Sequence, residues 1–219
     1  MKNKNLLLVC LVLVAVVLIG CSSDKKDVLV PEEERIVEPE QGELLSKPYA
    51  NLFGSGKYYM KYKLVSDNTE VEPAEDPDTV YEIFIDGDKM SNITLVGDQK
   101  LQNIVVDGQM FIIMHDQRMI ITTEIPQNIR QNTGIVETKG MEYQGSGRTE
   151  FAGIARNYEE YISADGYETI RYIFDGDRLV GLQVSKALGQ AKYDMEILEI
   201  NGNVTIRAFD LPSDYAMVN

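Results

Sequence analysis

The chain has no tryptophan, one histidine and two cysteines among its 219 residues. One histidine is too few for a His-based metal site, which needs several imidazoles converging on one ion. Cys10 lies inside an apolar segment and Cys21 just beyond it, so the rest of the chain holds no thiol, no disulfide and no Cys-ligated metal. Basic residues are also scarce. Lys and Arg number 21 against 35 Asp and Glu, for a formal net charge of −14. That balance argues against nucleic acid, whose binding is driven by Lys and Arg on phosphate, and against a basic surface held to anionic lipid. No Gly-x-Ser-x-Gly elbow is present. The adjacent His115-Asp116 could serve a nucleophile, but the sequence supplies none in a recognisable setting, so catalysis is not expected. No cofactor is expected, and no metal. Asp86-Gly87-Asp88 and Asp175-Gly176-Asp177 lack the spacing and terminal Glu of a calcium loop.

Long hydrophobic runs are absent with one exception. Leu6 to Ile19 is an unbroken apolar stretch of 14 residues, preceded by Lys2 and Lys4 and ending in Leu18-Ile19-Gly20-Cys21. A membrane-spanning helix needs about 20 apolar residues, and polar Ser22-Ser23-Asp24 follows at once. A positive start, a short apolar core and a small residue before the cut make a secretory signal peptide. The cysteine after that small residue resembles a bacterial lipobox. The resemblance implies cleavage after Gly20, lipid on the Cys21 sulfur and a mature N-terminus at Cys21. Residues 1–20 are then the signal peptide, and loss of Lys2 and Lys4 takes the charge to −16. One acyl chain binds a bilayer only marginally; the lipoprotein resemblance implies at least a diacylglyceryl group.

Residues 21–43 read as a lipidated cysteine and an acidic tether. Residues 22 to 43 carry eight acids and three bases, interrupted by Pro31 and Pro39, with no sustained apolar period. Such a segment stays extended and self-repelling.

Residues 44–219 read as one β domain. Asp-Gly or Asn-Gly between apolar runs marks a tight hairpin, because such turns demand positive φ. The chain has Asp86-Gly87, Asp107-Gly108, Asp165-Gly166, Asp175-Gly176 and Asn201-Gly202; Gly97-Asp98 fits the turn with glycine first, and Asp116-Gln117 is a weaker candidate. Between them lie segments rich in Ile, Val, Tyr, Phe and Thr. Strands are expected near 56–66, 79–85, 88–96, 99–106, 109–115, 118–124, 147–154, 156–164, 167–174, 177–185, 190–200 and 203–210. Short helices are expected at Leu44–Phe53 and Pro126–Asn132, and polar loops near 67–78 and 133–146. The fold class is mainly β: a curled antiparallel meander of about eleven strands, a half-open barrel, because twisted sheets of that size rarely stay flat.

Tight turns fix register, and register fixes faces. Val105 sits opposite Met110, Ile104 opposite Phe111, Met114 opposite Met119, Ile113 opposite Ile120, and Ile83 beside Met90. One face then holds Tyr81, Ile83, Ile85, Met90, Leu101, Val105, Met110, Ile112, Met114, Met119 and Ile121. The other holds Phe84, Ile93, Leu95, Ile104, Val106, Phe111, Ile113 and Ile120. In the C-terminal half, Glu160 falls opposite Arg171, with Tyr158, Ile173, Val180 and Leu182 nearby. A sheet with one wet side should alternate apolar and polar; strands 79–124 are apolar on both. Two coverings are open: the helices or the other half of the sheet, or a hydrophobic ligand. The candidate ligand-binding residues are Met90, Val105, Met110, Ile112, Met114, Met119 and Ile121. Met is pliable enough for an adaptable binding surface and equally common as core filler.

A lipobox, an acidic tether, a short helix and about eleven antiparallel strands with a helical insertion resemble the LolA/LolB/LppX-like lipoprotein-carrier superfamily. The run Tyr81–Thr123 and the closing Phe209-Asp210-Leu211-Pro212-Ser213-Asp214-Tyr215 carry the likeness. It implies a half-open barrel closed by helices, a hydrophobic cavity for acyl chains and no catalytic signature. The sequence thus leads to an extracytoplasmic lipoprotein, held to the membrane by lipid on Cys21, that binds a lipid or acyl chain. The alternative is a cell-envelope scaffold that binds a protein partner.

Overall fold

The computed structural model of the chain describes residues 35–36, 43–65, 79–125, 140–186 and 192–218. All of them belong to the unit Glu33–Asn219. The expected helix at Pro126–Asn132, the loop near 67–78 and Cys21 lie outside the described residues.

The strands are β1 (Arg35–Ile36), β2 (Lys57–Val65), β3 (Val80–Asp86), β4 (Lys89–Val96), β5 (Gln99–Val106), β6 (Gln109–Met114), β7 (Met119–Glu124), β8 (Met141–Phe151), β9 (Ile154–Ser163), β10 (Glu168–Asp175), β11 (Arg178–Lys186), β12 (Lys192–Asn201) and β13 (Ala216–Val218). They form one sheet in the order β1-β8-β9-β10-β11-β12-β2-β3-β4-β5-β6-β7-β13. The sheet is an open, curled meander, as the hairpin signals require. Its two halves meet where β12 pairs antiparallel with β2. Strand β1 falls inside the segment read from the sequence as a tether and pairs with Ser146 and Gly147 of β8.

The hairpin chemistry explains most of the register. Asp107 (φ 51°) and Gly108 (φ 74°) both sit in the left-handed region, joining Val106 to Gln109. At Asp86 and Asp175 the aspartate is instead the last ladder residue, paired with Lys89 and Arg178, and the loop is Gly87-Asp88 or Gly176-Asp177. Met90 therefore lies opposite Ile85, not Ile83. That correction is a shift of two residues, so every side chain keeps its expected face.

One tight turn carries no Asp-Gly signal. Ala152 (φ 51°) and Gly153 (φ 76°) join Phe151 to Ile154, so β8 ends and β9 begins earlier than the expected strands 147–154 and 156–164. Left-handed backbone costs a β-carbon-bearing residue about 1–2 kcal/mol, and asparagine less. Ala152 is exposed and loses no packing on substitution. Ala152→Asn is expected to stabilise the protein by about 1 kcal/mol, a rise in Tm of roughly 2–4 °C by thermal denaturation.

Helix α1 (Lys47–Gly54) lies on the inner face of the sheet. Its Phe53 packs edge-on against Tyr58, with ring centroids 5.2 Å apart, and its Tyr49 and Leu52 border the same cluster. That cluster is the main core: Met60, Tyr62, Ile83, Ile85, Ile170, Tyr172, Phe174, Leu182, Val184 and Met195 come from both halves of the sheet. Leu182 packs here beside Tyr172, not with Arg171 on the outer face. On the outer face Glu160 and Arg171 pair at 2.7 Å, as their register predicts. There Phe151, Tyr158, Ile173 and Val180 form a smaller cluster. Gly181 lets it close: a β-carbon on Gly181 would stand 2.4 Å from the Phe151 ring.

The expected strand 203–210 does not form. Asn203 N–H is bonded to the Asn201 side chain at 2.8 Å, and the chain continues into a 3-10 helix, Ile206–Phe209. Both edges of β12 are taken, by β11 and β2, so a strand after Asn201-Gly202 has no partner there. The chain instead crosses the outer face as a strap and adds β13 parallel to β7. Leu211 and Tyr215 of the strap pack on Ile104, Phe111, Ile113 and Ile120. Among the described residues, the outer apolar face of β4–β7 is therefore covered by the C-terminal strap, a covering that the sequence reading did not foresee.

Candidate functional site

The inner face of β2–β7 is built from three cross-strand rows. The first runs Tyr62, Tyr81, Thr94, Leu101, Met114, Met119. The second runs Met60, Ile83, Asn92, Asn103, Ile112, Ile121, and the third Tyr58, Ile85, Met90, Val105, Met110, Thr123. No Asp, Glu, Lys, Arg or His occurs in any row. The β2–β3 end of each row lies in or against the main core.

The rows then run out from under that core. Met90 still packs against it, and Val105 is buried. Leu101, Met110, Ile112, Met114, Met119 and Ile121 are only half-buried and belong to none of the buried clusters of the described residues. All seven apolar candidates named from the sequence thus share one face. The sequence reading missed Asn92 and Asn103, which the same register arithmetic places in the middle row. The Asn92 side-chain oxygen is buried and accepts no hydrogen bond.

A buried polar anchor holds α1 on this face. Glu159 comes from β9, opposite Tyr172 on β10, and points inward. Its carboxylate accepts from Leu45 N and Ser46 N, each at 2.9 Å, and from Ser46 Oγ at 2.5 Å. Ser46 has one hydroxyl proton and gives it to Glu159. The Tyr161 hydroxyl, 2.6 Å from Ser46 Oγ, is then the donor in that contact. Burial pushes the Tyr161 phenol up, and the Glu159 charge adds to this against the Ser46 bond, so Tyr161 keeps its proton. The carboxylate does the work of a helix N-cap at the positive end of the helix dipole. Ser46 and Glu159 are 113 residues apart, and no local motif announces the pair.

His115 serves structure. Gln102 Nε2 donates to Ser91 Oγ at 3.0 Å and to the Ala208 carbonyl at 3.2 Å. This aims Gln102 Oε1 at His115 Nε2, 3.0 Å away, so Nε2 carries the proton and Nδ1 accepts from the Tyr215 hydroxyl at 3.1 Å. The neutral ring satisfies both contacts and ties the strap to β5. Burial lowers the His115 pKa, Lys100 lowers it further and Asp116 partly offsets this. The unfolded chain therefore takes up the proton first as pH falls. Stability should be constant above the ordinary imidazole value and decline as pH drops through the lowered one. Because His115 is the only histidine, Tm measured between pH 7.5 and 5.5 should fall in the wild type and fall less in His115→Gln.

Among the described residues no group of three or more His, Cys, Asp or Glu is placed to hold a metal, and no helix is long and apolar enough to cross a membrane. No family model matches the chain, and no curated protein matches it. Solved structures similar in fold include an uncharacterized conserved protein from Thermus thermophilus, at 7% identity and TM-score 0.44, covering 80% of this chain and 99% of that one. MucB is similar at 10% identity and TM-score 0.41, over 81% of this chain and 66% of MucB. A protein described as an outer membrane lipoprotein-sorting domain from Vibrio parahaemolyticus is similar at 9% identity and TM-score 0.30, over 71% of this chain and 89% of the other. The likeness is one of fold alone.

Proposed function

We propose that this protein is an extracytoplasmic lipoprotein, anchored by lipid on Cys21, that binds or carries a hydrophobic ligand, a lipid or acyl chain, on the inner face of its sheet. The binding is non-catalytic. One observation carries the reading: both faces of β4–β7 hold apolar rows, and the strap closes the outer one, while on the inner one Met110, Ile112, Met114, Met119 and Ile121 stay partly exposed and join none of the buried clusters of the described residues. Removing that surface from water against an acyl chain is favourable at roughly 25 cal/mol per Å². Titrating the purified full chain with a fluorescent acyl-chain probe bearing an uncharged head tests it. Saturable binding, competed by unlabelled acyl chains, supports the reading; no binding refutes it.

A second reading, a protein partner, draws on the strap. Ile206 is 77% exposed and Met217 on edge strand β13 is 55% exposed. An edge strand of this kind is a template for pairing with another chain.

A further inference from the structure

We infer that Asn92, with Asn103 across the ladder from it, is a polar subsite that takes the uncharged, hydrogen-bond-donating head of the ligand, a hydroxyl or amide N–H. The inference rests on the reading above that the inner face holds an acyl chain.

Two observations point to this chemistry. First, the three inner rows of β2–β7 hold no charged residue at all, in a chain with a formal charge of −14. A carboxylate or phosphate seated there finds no counter-charge in those rows, and burying an unpaired charge is far costlier than burying a neutral group. Second, the Asn92 amide oxygen is buried and accepts no hydrogen bond, while the residue as a whole is partly exposed, so that rotation of the amide about its terminal torsion can present the unpaired oxygen to a ligand. Buried polar atoms are almost always paired, and an orphan calls for an explanation. A carboxylate or an ester carbonyl brings only acceptors to such an oxygen; a hydroxyl or amide N–H supplies the missing donor.

The position fits an amphiphile. Asn92 and Asn103 lie in the middle row, flanked by Thr94 and Leu101 on one side and by Met90 and Val105 on the other. From Asn103 the row continues to Ile112 and Ile121. A head bonded at Asn92 can therefore lay its chain over the half-buried surface of β6 and β7.

The test displaces a fluorescent acyl probe from the full chain with three ligands of one chain length, at pH 9. Monooleoylglycerol is uncharged with donors, methyl oleate is uncharged without them, and oleate is ionised. Monooleoylglycerol is expected to bind about tenfold more tightly than methyl oleate, the scale of one buried hydrogen bond, and oleate least of all. Asn92→Leu should bring monooleoylglycerol and methyl oleate within about threefold of each other, chiefly by weakening the first. If wild-type protein binds methyl oleate or oleate as tightly as monooleoylglycerol, the subsite is wrong and the acyl-chain reading stands. If none of the three displaces the probe, or the face is filled by the chain's own segments so that no probe enters, both fall.

Discussion

Met114→Asp should leave the protein folded and weaken acyl-chain binding by at least about tenfold. Met114 ends β6, between Leu101 and Met119 in the first inner row, and is half-buried. Without ligand, a carboxylate there can turn to water, so the fold loses only thioether packing. With ligand, the carboxylate is covered by hydrocarbon and has no cation among its row neighbours. The variant's Tm should stay within about 5 °C of wild type, while probe titration shows the loss. Unfolding of Met114→Asp would mean that Met114 is core, and the inner face would then be scaffold. Met114→Leu, of similar volume, separates the two: it should keep both fold and binding.

Glu159→Ala should destabilise the protein by about 3 kcal/mol, a fall in Tm of roughly 6–12 °C. The carboxylate is buried and accepts three hydrogen bonds from Leu45 and Ser46. Hydrogen bonds to a charged group contribute about 1.5–3 kcal/mol each, and donors left unpaired add a desolvation penalty. The Ser46 hydroxyl keeps Tyr161 as a partner, which limits the loss; the two backbone N–H groups keep none. Thermal or urea melting of Glu159→Ala and Glu159→Gln measures the effect. The glutamine retains one acceptor and should lose less than half as much. Equal stability in all three proteins would mean that α1 is held by Phe53, Tyr49 and Leu52 alone.

Val80 to Glu124 was the most legible part of the fold. Its turns are short and mostly glycine-bearing, and its strands alternate, so parity alone sorted Met90, Val105, Met110, Ile112, Met114, Met119 and Ile121 onto one face. Even the two-residue slip at Gly87-Asp88 did no harm, because side chains repeat every second residue. The strap was not legible. Residues 203–210 have strand-like composition, but whether a strand forms depends on a free edge, and β2 had already occupied the edge of β12. That pairing joins Met60 to Ile200 and is non-local. The start of β8 was hidden by its polar, glycine-containing run Met141–Gly147, and the Ala152-Gly153 turn by the absence of Asp or Asn. The Glu159–Ser46 anchor links segments with no shared pattern. Asn92 and Asn103 follow from the same register, but an apolar pattern does not select polar residues on the same face.

The central claim is that the inner face beyond the main core holds a hydrophobic ligand. Native mass spectrometry of the full-length protein, purified from its own membranes in a volatile detergent, tests it most directly. A reproducible mass excess over the covalent mass of the denatured protein is expected, one that is recovered by solvent extraction as an acyl-chain compound with an uncharged head. A native mass equal to the denatured covalent mass, with no gain on incubation with monooleoylglycerol, would contradict the claim.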